Sequence, residues 1–582
     1  MTTRSARLAL ALCGAVLMSG CVRMPSEGPV TDVRADATDV STPGISFDPK
    51  PPQKGESPTE IVLHFLEAMK ATPIDASVAR KFLSTEAQVR WKPEHSIVTY
   101  SDLGSPTGEL QVELPLMGLE EYDVRGAWQT SRVQERMRFG MTVEGGEWRI
   151  ESLPDALIVP ETWFQDRYRR VSLYFFDPTA QILVPEPVFV PEGDQLASSM
   201  VRGLLDDATD DPRITRTFVP PGFKSGPVPL TSDGIADVSL LGEPSVVDDT
   251  ARDLILAQLV WTLRQEDRIQ AVRLAIGEDE QGSFAEAPEF KLYGGPGFDP
   301  NKFDPTGARA SGDLFGLVDG RVVRGSITSL APTSGPLGTQ RFGISSIGVN
   351  LSGDRVAGIS GDGGAVLVAP VDGEGTVKEV ASGARNLLPP AWDSADRIWL
   401  TDRARGGAVV SFVRADQPPR AIEVPGVTGR DVRHLLVSRD GSRLIAVVRS
   451  PKGDRVVASR ILRNASGGVL RATRGVVLDF EPAAATTVIR DIGWRSPTTI
   501  SVLTDIAEDL SRVETISVDG SPRDLSLQGA SSLRGGTREL VSSPVEGAEV
   551  FGLARDAVSD LTAPERPLDG PVEGLSSLTY VG

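Results

Sequence analysis

The stretch Val437-Ser438-Arg439-Asp440-Gly441-Ser442-Arg443-Leu444 decides the fold of the largest part of this chain. A β-branched residue runs into a Ser-Asp-Gly turn, and an aliphatic strand leaves it. That is hairpin chemistry: Asp and Gly supply the tight turn, and the strand after it enters a core. Leu351-Ser352-Gly353-Asp354-Arg355-Val356, Trp392-Asp393-Ser394-Ala395-Asp396-Arg397-Ile398 and Trp494-Arg495-Ser496-Pro497-Thr498-Thr499-Ile500 are versions of the same unit. Anchored on Arg355, Arg397, Arg443 and Thr499, the copies lie 42, 46 and 56 residues apart. Propeller blades repeat with a period of about 40–50 residues. Weaker copies fall at Asp319-Gly320-Arg321-Val322 and Glu546-Gly547-Ala548-Glu549-Val550. From about Asp313 onward helical rhythm is absent. Residues 310–582 are therefore expected to form an all-β degenerate β-propeller of five to seven blades, with a pair of β-sandwiches as the competing architecture.

Upstream, residues 170–295 alternate strands and helices. Val171-Ser172-Leu173-Tyr174-Phe175-Phe176 and Ile182 to Val190 read as strands. Ala197, Met200, Val201 and Leu204 keep helical spacing behind Asp194, the expected cap. A second helix is expected near Thr250, with Asp253 completing its cap and Leu256, Leu259, Val260 and Leu263 buried. The strand Ala271–Ile276 follows it. Residues 58–160 form a further α+β unit. Ser57-Pro58-Thr59-Glu60 is a capping box, and Val62, Phe65, Leu66 and Met69 give its helix a buried face. A second helix around 76–83 precedes five alternating segments, around 96–100, 109–114, 121–130, 132–143 and 147–153. The order resembles the cystatin-like or nuclear-transport-factor-like cone, a curved antiparallel sheet wrapped on helices.

The N-terminus reads as an export signal. Arg4 and Arg7 precede the apolar run Leu8–Met18, and Leu17-Met18-Ser19-Gly20-Cys21 carries the lipoprotein consensus. The run is far shorter than the roughly 20 apolar residues of a membrane span. Residues 1–20 are expected to be removed, leaving Cys21 as an acylated N-terminus. Residues 21–57, polar, acidic and rich in proline, read as a flexible tether holding the body on the order of 30 Å from the lipid.

The net charge of −19 becomes −21 once Arg4 and Arg7 leave with the signal. Such acidity argues against nucleic acid, which calls for basic stripes. Cys13 also leaves, so Cys21 is the single mature cysteine, which excludes an internal disulfide and a multi-cysteine zinc site. Catalysis near neutral pH most often uses histidine. The three here, His64, His95 and His434, sit in unrelated segments. No HExxH, G-x-S-x-G or GxxxxGK[ST] motif occurs. Gly361-Asp362-Gly363-Gly364 reads as a turn, and Asp354 and Asp440-Gly441 fit the calcium-loop order poorly. With 79 acids, a glycosidase-type carboxylate pair stays open. Trp392 and Trp494, at equivalent positions, read as blade packing, and Trp163-Phe164 as packing between domains.

The quoted segments of residues 170–295, with "LASSMVRGLLDD", "GIADVSLL" and "LILAQLVWTLRQEDRIQAVRLAIG", resemble the GerM-type sporulation and germination domain of exported bacterial proteins. Together, the lipobox, α+β domain, GerM-type domain and degenerate propeller resemble the LpqB family of actinobacterial lipoproteins over essentially the whole mature chain. That resemblance implies a lipid-anchored protein on the extracytoplasmic face of the cell membrane. It implies binding to the extracellular domain of the sensor histidine kinase MtrB, and modulation of MtrA–MtrB two-component signalling in cell division and cell-wall homeostasis. It carries no catalytic residue, metal or cofactor, and one site residue: Cys21, as S-diacylglycerol and N-palmitoyl cysteine. The alternative function is a lipoprotein that binds or processes cell-wall glycan.

Overall fold

The computed structural model describes residues 47–582 apart from 131–135, 207–210, 278–288, 293–297, 415–416, 481–486, 508, 523–530, 535, 556, 564–567 and 569–572. The signal segment, Cys21 and residues 22–46 lie outside the described residues. The last part of the expected tether is not free chain. Phe47 bridges the Thr72 backbone, Pro49 is buried, and the Gly55 N–H donates to the Glu147 carboxylate at 2.8 Å.

The first helix, Pro58–Ala68, starts as the capping box dictates: the Ser57 hydroxyl accepts the Glu60 N–H, and the Glu60 carboxylate takes the Ser57 N–H at 2.8 Å. Its Phe65 meets Phe82, Trp91 and Phe139 in the domain core. The helix expected over 76–83 covers only Ser77–Arg80, and a further helix not expected from the sequence, Thr85–Arg90, follows it, capped by Ser84. The strands form two four-stranded sheets, and they are not all antiparallel. Ile97–Tyr100 pairs antiparallel with Glu120–Tyr122 on one side and parallel with Leu157–Pro160 on the other.

In the middle domain Tyr168–Phe176 and Leu183–Pro191 form an antiparallel pair, and Ile235–Leu241 runs parallel to Ala271–Gly277. Helices Leu196–Leu205 and Asp249–Leu263 pack between these sheets, burying Met200, Val201, Leu256 and Leu259. Neither expected cap holds. Gln195 occupies the first N-cap with no side-chain bond, because the chain enters that helix through a turn rather than extended. Asp248, not Asp253, caps the second, accepting the Ala251 N–H at 2.7 Å.

Beyond residue 313, the described residues form six sheets in a ring, which excludes the sandwich pair. The innermost strands are Leu575–Thr579, Ile344–Val349, Ala391–Trp392, Val432–Val437, Ile489–Ser496 and Glu539–Val541, in blades 1 to 6. Each packs beside the next around the axis. Blade 1 is closed by the chain end: Leu575–Thr579 pairs antiparallel with Leu314–Val318. Arg355, Arg397, Arg443 and Thr499 each begin the second strand of blades 2 to 5, so the repeat is a true structural period. Glu546–Val550 fills the equivalent connection of blade 6. Asp319-Gly320 does not: it turns between the second and third strands of blade 1, at the opposite end. The first strand of that blade arrives from the C-terminus, so blade 1 has no continuous turn for the repeat to occupy.

Candidate functional site at the domain junctions

The turns between first and second strands do local and long-range work together. In blade 4, the Ser438 hydroxyl donates to Asp440 at 2.9 Å and accepts the Arg443 N–H at 2.9 Å. Gly441 provides the left-handed residue, with φ +68°. The folded turn aims Arg443 at the middle domain, where its Nη2 donates to Pro185 O at 2.7 Å and to Glu186 Oε2 at 2.8 Å. Arg460 grips the same carboxylate at 2.8 and 2.5 Å. Burial alone would raise the Glu186 pKa, but the two guanidinium groups outweigh it and hold the carboxyl at about 2. Around this centre, the Arg463 N–H donates to Arg213 O at 2.8 Å, and its guanidinium lies 3.5 Å from Asp177. Arg170 reaches Thr498 O at 3.3 Å and the Ser517 hydroxyl. Arg439 donates to Val581 O at 2.6 Å and Thr306 O at 3.0 Å, tying the chain end and the interdomain segment to blade 4. Burial pushes its pKa down to about 10. The middle domain therefore covers one face of the propeller through buried, charge-assisted bonds.

A second junction joins the first two domains. Phe164 stacks between Tyr122 and Tyr168, with ring centroids 4.6 Å away on each side, and Phe189 closes the cluster. The Trp163 indole donates to Lys70 O at 3.2 Å, so Trp163-Phe164 packs the domains together. Gly126 lets two backbones meet: its φ is +82°, Phe189 donates to its carbonyl at 2.9 Å, and a Cβ there would stand 1.9 Å from Phe189 O. Beside this contact lies a cleft of about 300 Å³, walled by Ile97, Leu157, Tyr168 and Phe189 and rimmed by Glu94 and Arg202. Apolar walls and a few polar rim groups suit a small ligand or a peptide side chain.

The candidate residues from sequence are not brought together. His64 pairs with Glu56 at 2.8 Å, His95 is exposed in a single 3₁₀ turn, and His434 lies 3.1 Å from Asp491 in the propeller. Asp354 and Asp440 accept Asn350 and Ser438 donors of their own turns, and Asp362 accepts Ser360 and Gly364. Among the described residues no group of three or more His, Cys, Asp or Glu side chains is placed to hold a metal. No described helix is long and apolar enough to cross a membrane. Trp392 and Trp494 act alike: each donates its indole N–H to the first strand of the preceding blade, Gly348 O at 3.1 Å and Val437 O at 3.2 Å. Sequence reading missed Glu186. Its signal was present, a lone charge flanked by Pro185 and Pro187 inside an otherwise apolar strand.

Comparison with known proteins gives three domain matches in chain order. The family "Lipoprotein LpqB, N-terminal domain" matches residues 51–165, "Sporulation and spore germination" 172–281, and "Lipoprotein LpqB beta-propeller domain" 320–539. The chain is similar to lipoprotein LpqB of Thermobifida fusca (strain YX), 25% identical with 94% of each chain covered. It is similar to lipoprotein LpqB of Mycobacterium bovis (strain BCG / Pasteur 1173P2), 27% identical over 90% of this chain and 91% of the relative. Among solved structures, the tandem GerMN domains of the sporulation protein GerM from Bacillus subtilis align at 20% identity over 19% of this chain and 39% of that chain, with a TM-score of 0.17. With a germination-type domain set between two LpqB-specific ones, and full-length relatives of the same name, the chain belongs to the LpqB lipoprotein family.

Proposed function

We propose that this lipoprotein is a non-enzymatic adaptor, acylated at Cys21 and held on the extracytoplasmic face of the cell membrane, that binds the extracellular domain of the sensor kinase MtrB and modulates MtrA–MtrB signalling. The observation that carries the reading is the interlocking of three domains through the Glu186–Arg443–Arg460 centre and the Phe164 stack. A body built this way presents fixed surfaces to a partner. Lipid anchoring confines it beside a membrane kinase, which raises the effective concentration of a weak binder.

The test uses the full mature chain and the purified extracellular domain of the kinase in surface plasmon resonance, paired with regulator phosphorylation in cells lacking the lipoprotein. Saturable binding and altered phosphorylation are expected; absence of binding overturns the partner. Cys21→Ala moves the protein from the membrane to the soluble fraction, and its retention in the membrane overturns the anchoring.

A further inference from the structure

The propeller face opposite the middle domain carries a separate feature. Second strands start at the covered face, so the turns at their far ends and the connections between blades lie at the uncovered one. In blades 3 and 4 these segments form one continuous strip. The Arg385 N–H donates to the Asp402 carboxylate at 3.0 Å, and the Arg403 N–H to Asn386 O at 3.1 Å. Ala408 donates to Arg430 O at 2.7 Å, and Arg449 to Asp431 O at 2.8 Å. Along the strip Arg385, Arg405, Arg430, Arg449 and Lys452 are exposed.

Two of the three acids within the strip, Asp402 and Asp454, are occupied by the fold, and the third, Asp431, is half exposed. Asp402 accepts the backbone N–H groups of Arg385 and Asn386. Asp454 is buried, accepts the Ile489 N–H at 3.0 Å, and lies 3.6 Å from Arg449. Asp431 faces Arg433 at 3.6 Å. Arg385, Arg405, Arg430 and Lys452 are left with no carboxylate within 4.0 Å among the described residues. In a chain of net charge −19, a contiguous run of unpaired cations on one sector of one face stands against the background.

We infer that this strip is a docking site for an extended polyanion, a chain of regularly repeated phosphate or carboxylate groups. Three observations favour such an occupant over a protein surface or a bilayer. The cations stand on consecutive turns and connections of two adjacent blades. The strip exposes Val409 but no aromatic side chain, whereas the centre of a stable protein interface is apolar and rich in aromatics. The first domain meets the propeller at Gly520, on the covered side, so the strip is left uncovered by both other domains. The inference is independent of the kinase.

The experiment measures binding of the full mature chain, with Cys21→Ala for solubility, to long-chain polyphosphate and to polygalacturonate across 50–200 mM salt. Four unpaired cations give a log–log salt slope of about −3 by counterion release, roughly a 60-fold loss over that range. Arg405→Gln/Arg430→Gln/Lys452→Gln should weaken binding more than about tenfold at low salt and bring the slope to about −1. Lys50→Gln/Arg136→Gln/Arg252→Gln, with the same change of net charge, should stay within about twofold. Loss in one polymer alone identifies whether phosphate or carboxylate is the preferred charge. An equal loss in both variants, or an unchanged slope, overturns the inference. So does strip-dependent binding to phosphatidylglycerol vesicles without binding to either polymer, which would make the bilayer the occupant. If the triple variant melts early, the single variants Arg405→Gln and Lys452→Gln, both at turn tips, carry the same test.

Discussion

Replacing Glu186 by Gln should partly undock the middle domain from the propeller, and the size of the effect follows from the site. The carboxylate accepts one bond from Arg443 and two from Arg460, and its side chain is about a fifth exposed. Its pKa falls from 4.5 to about 2, so docking the ionised form is favoured by roughly 3 kcal/mol over docking the neutral one. Removing one partner of a buried pair costs about 3–5 kcal/mol, because the charges left behind lose their counter-ion. Both routes give a penalty of about 3 kcal/mol or more. About 3 kcal/mol raises the undocked population roughly 100-fold, and native-state proteolysis of the 300–313 connector reads that population directly when reclosing outpaces cleavage. Cleavage of Glu186→Gln at pH 7 should therefore run about 100-fold faster than wild type. The pH arm fixes the sign. A depressed carboxyl pKa stabilises above the unfolded value near 4.5 and is lost as pH falls through about 2. The gap between wild type and variant should be full at pH 6 and shrink steadily below 4.5. A cleavage rate within threefold of wild type at pH 7, or a gap independent of pH, would refute the assignment of Glu186 as the electrostatic centre of the joint.

Other perturbations test the remaining contacts. Trp392→Ala removes a fully buried indole and its bond to Gly348 O, and should lower propeller stability by about 3–5 kcal/mol in chemical denaturation followed by circular dichroism. Deleting residues 575–582 strips blade 1 of its innermost strand and Arg439 of its Val581 acceptor, so the ring should open and the chain should elute as an expanded species in size-exclusion chromatography. Gly126→Ala sets a Cβ 1.9 Å from Phe189 O at a left-handed φ, and should loosen the first two domains, read as faster hydrogen exchange at the Phe189 amide.

Local chemistry was legible in the sequence and pairing over long separations was not. The capping box at Ser57 is written in four adjacent residues, and the hairpin repeat in eight, so the box and the repeat of blades 2 to 5 form as read, while the copy at Asp319 falls at the other end of its blade. The caps at Asp194 and Asp253 failed because residues one to five positions away compete for the same role, and backbone entry angle rather than residue type selects Gln195 and Asp248. Leu157–Pro160 gives no sign that it will pair in parallel with Ile97–Tyr100, since a short apolar run fits either direction. The closing strand Leu575–Thr579 belongs to a blade 260 residues upstream by sequence, and no local pattern says so. Arg443 shows the same division. Its place in the repeat is a local fact, whereas its partner Glu186, 257 residues away, is set by domain docking.

That division bears on where a partner can bind. The repeat concentrates its polar turns on one propeller face, and in a free propeller that face would offer the richest hydrogen-bonding surface. Here Arg443, Arg460 and Arg463 are committed to Glu186, Asp177 and backbone carbonyls of the middle domain. Leaving any of them buried without a partner would cost more than a partner protein is able to return at a wet interface, so the covered face stays covered. Surfaces available for recognition are therefore the outer walls, the first-domain cleft and the uncovered face. On that last face, the cations of blades 3 and 4 lie unpaired, and the turns and connections of blades 1 and 2 carry both signs, Asp319 and Asp362 with Arg321 and Arg341. A concentration of cations on one sector orients an anionic partner that approaches that face.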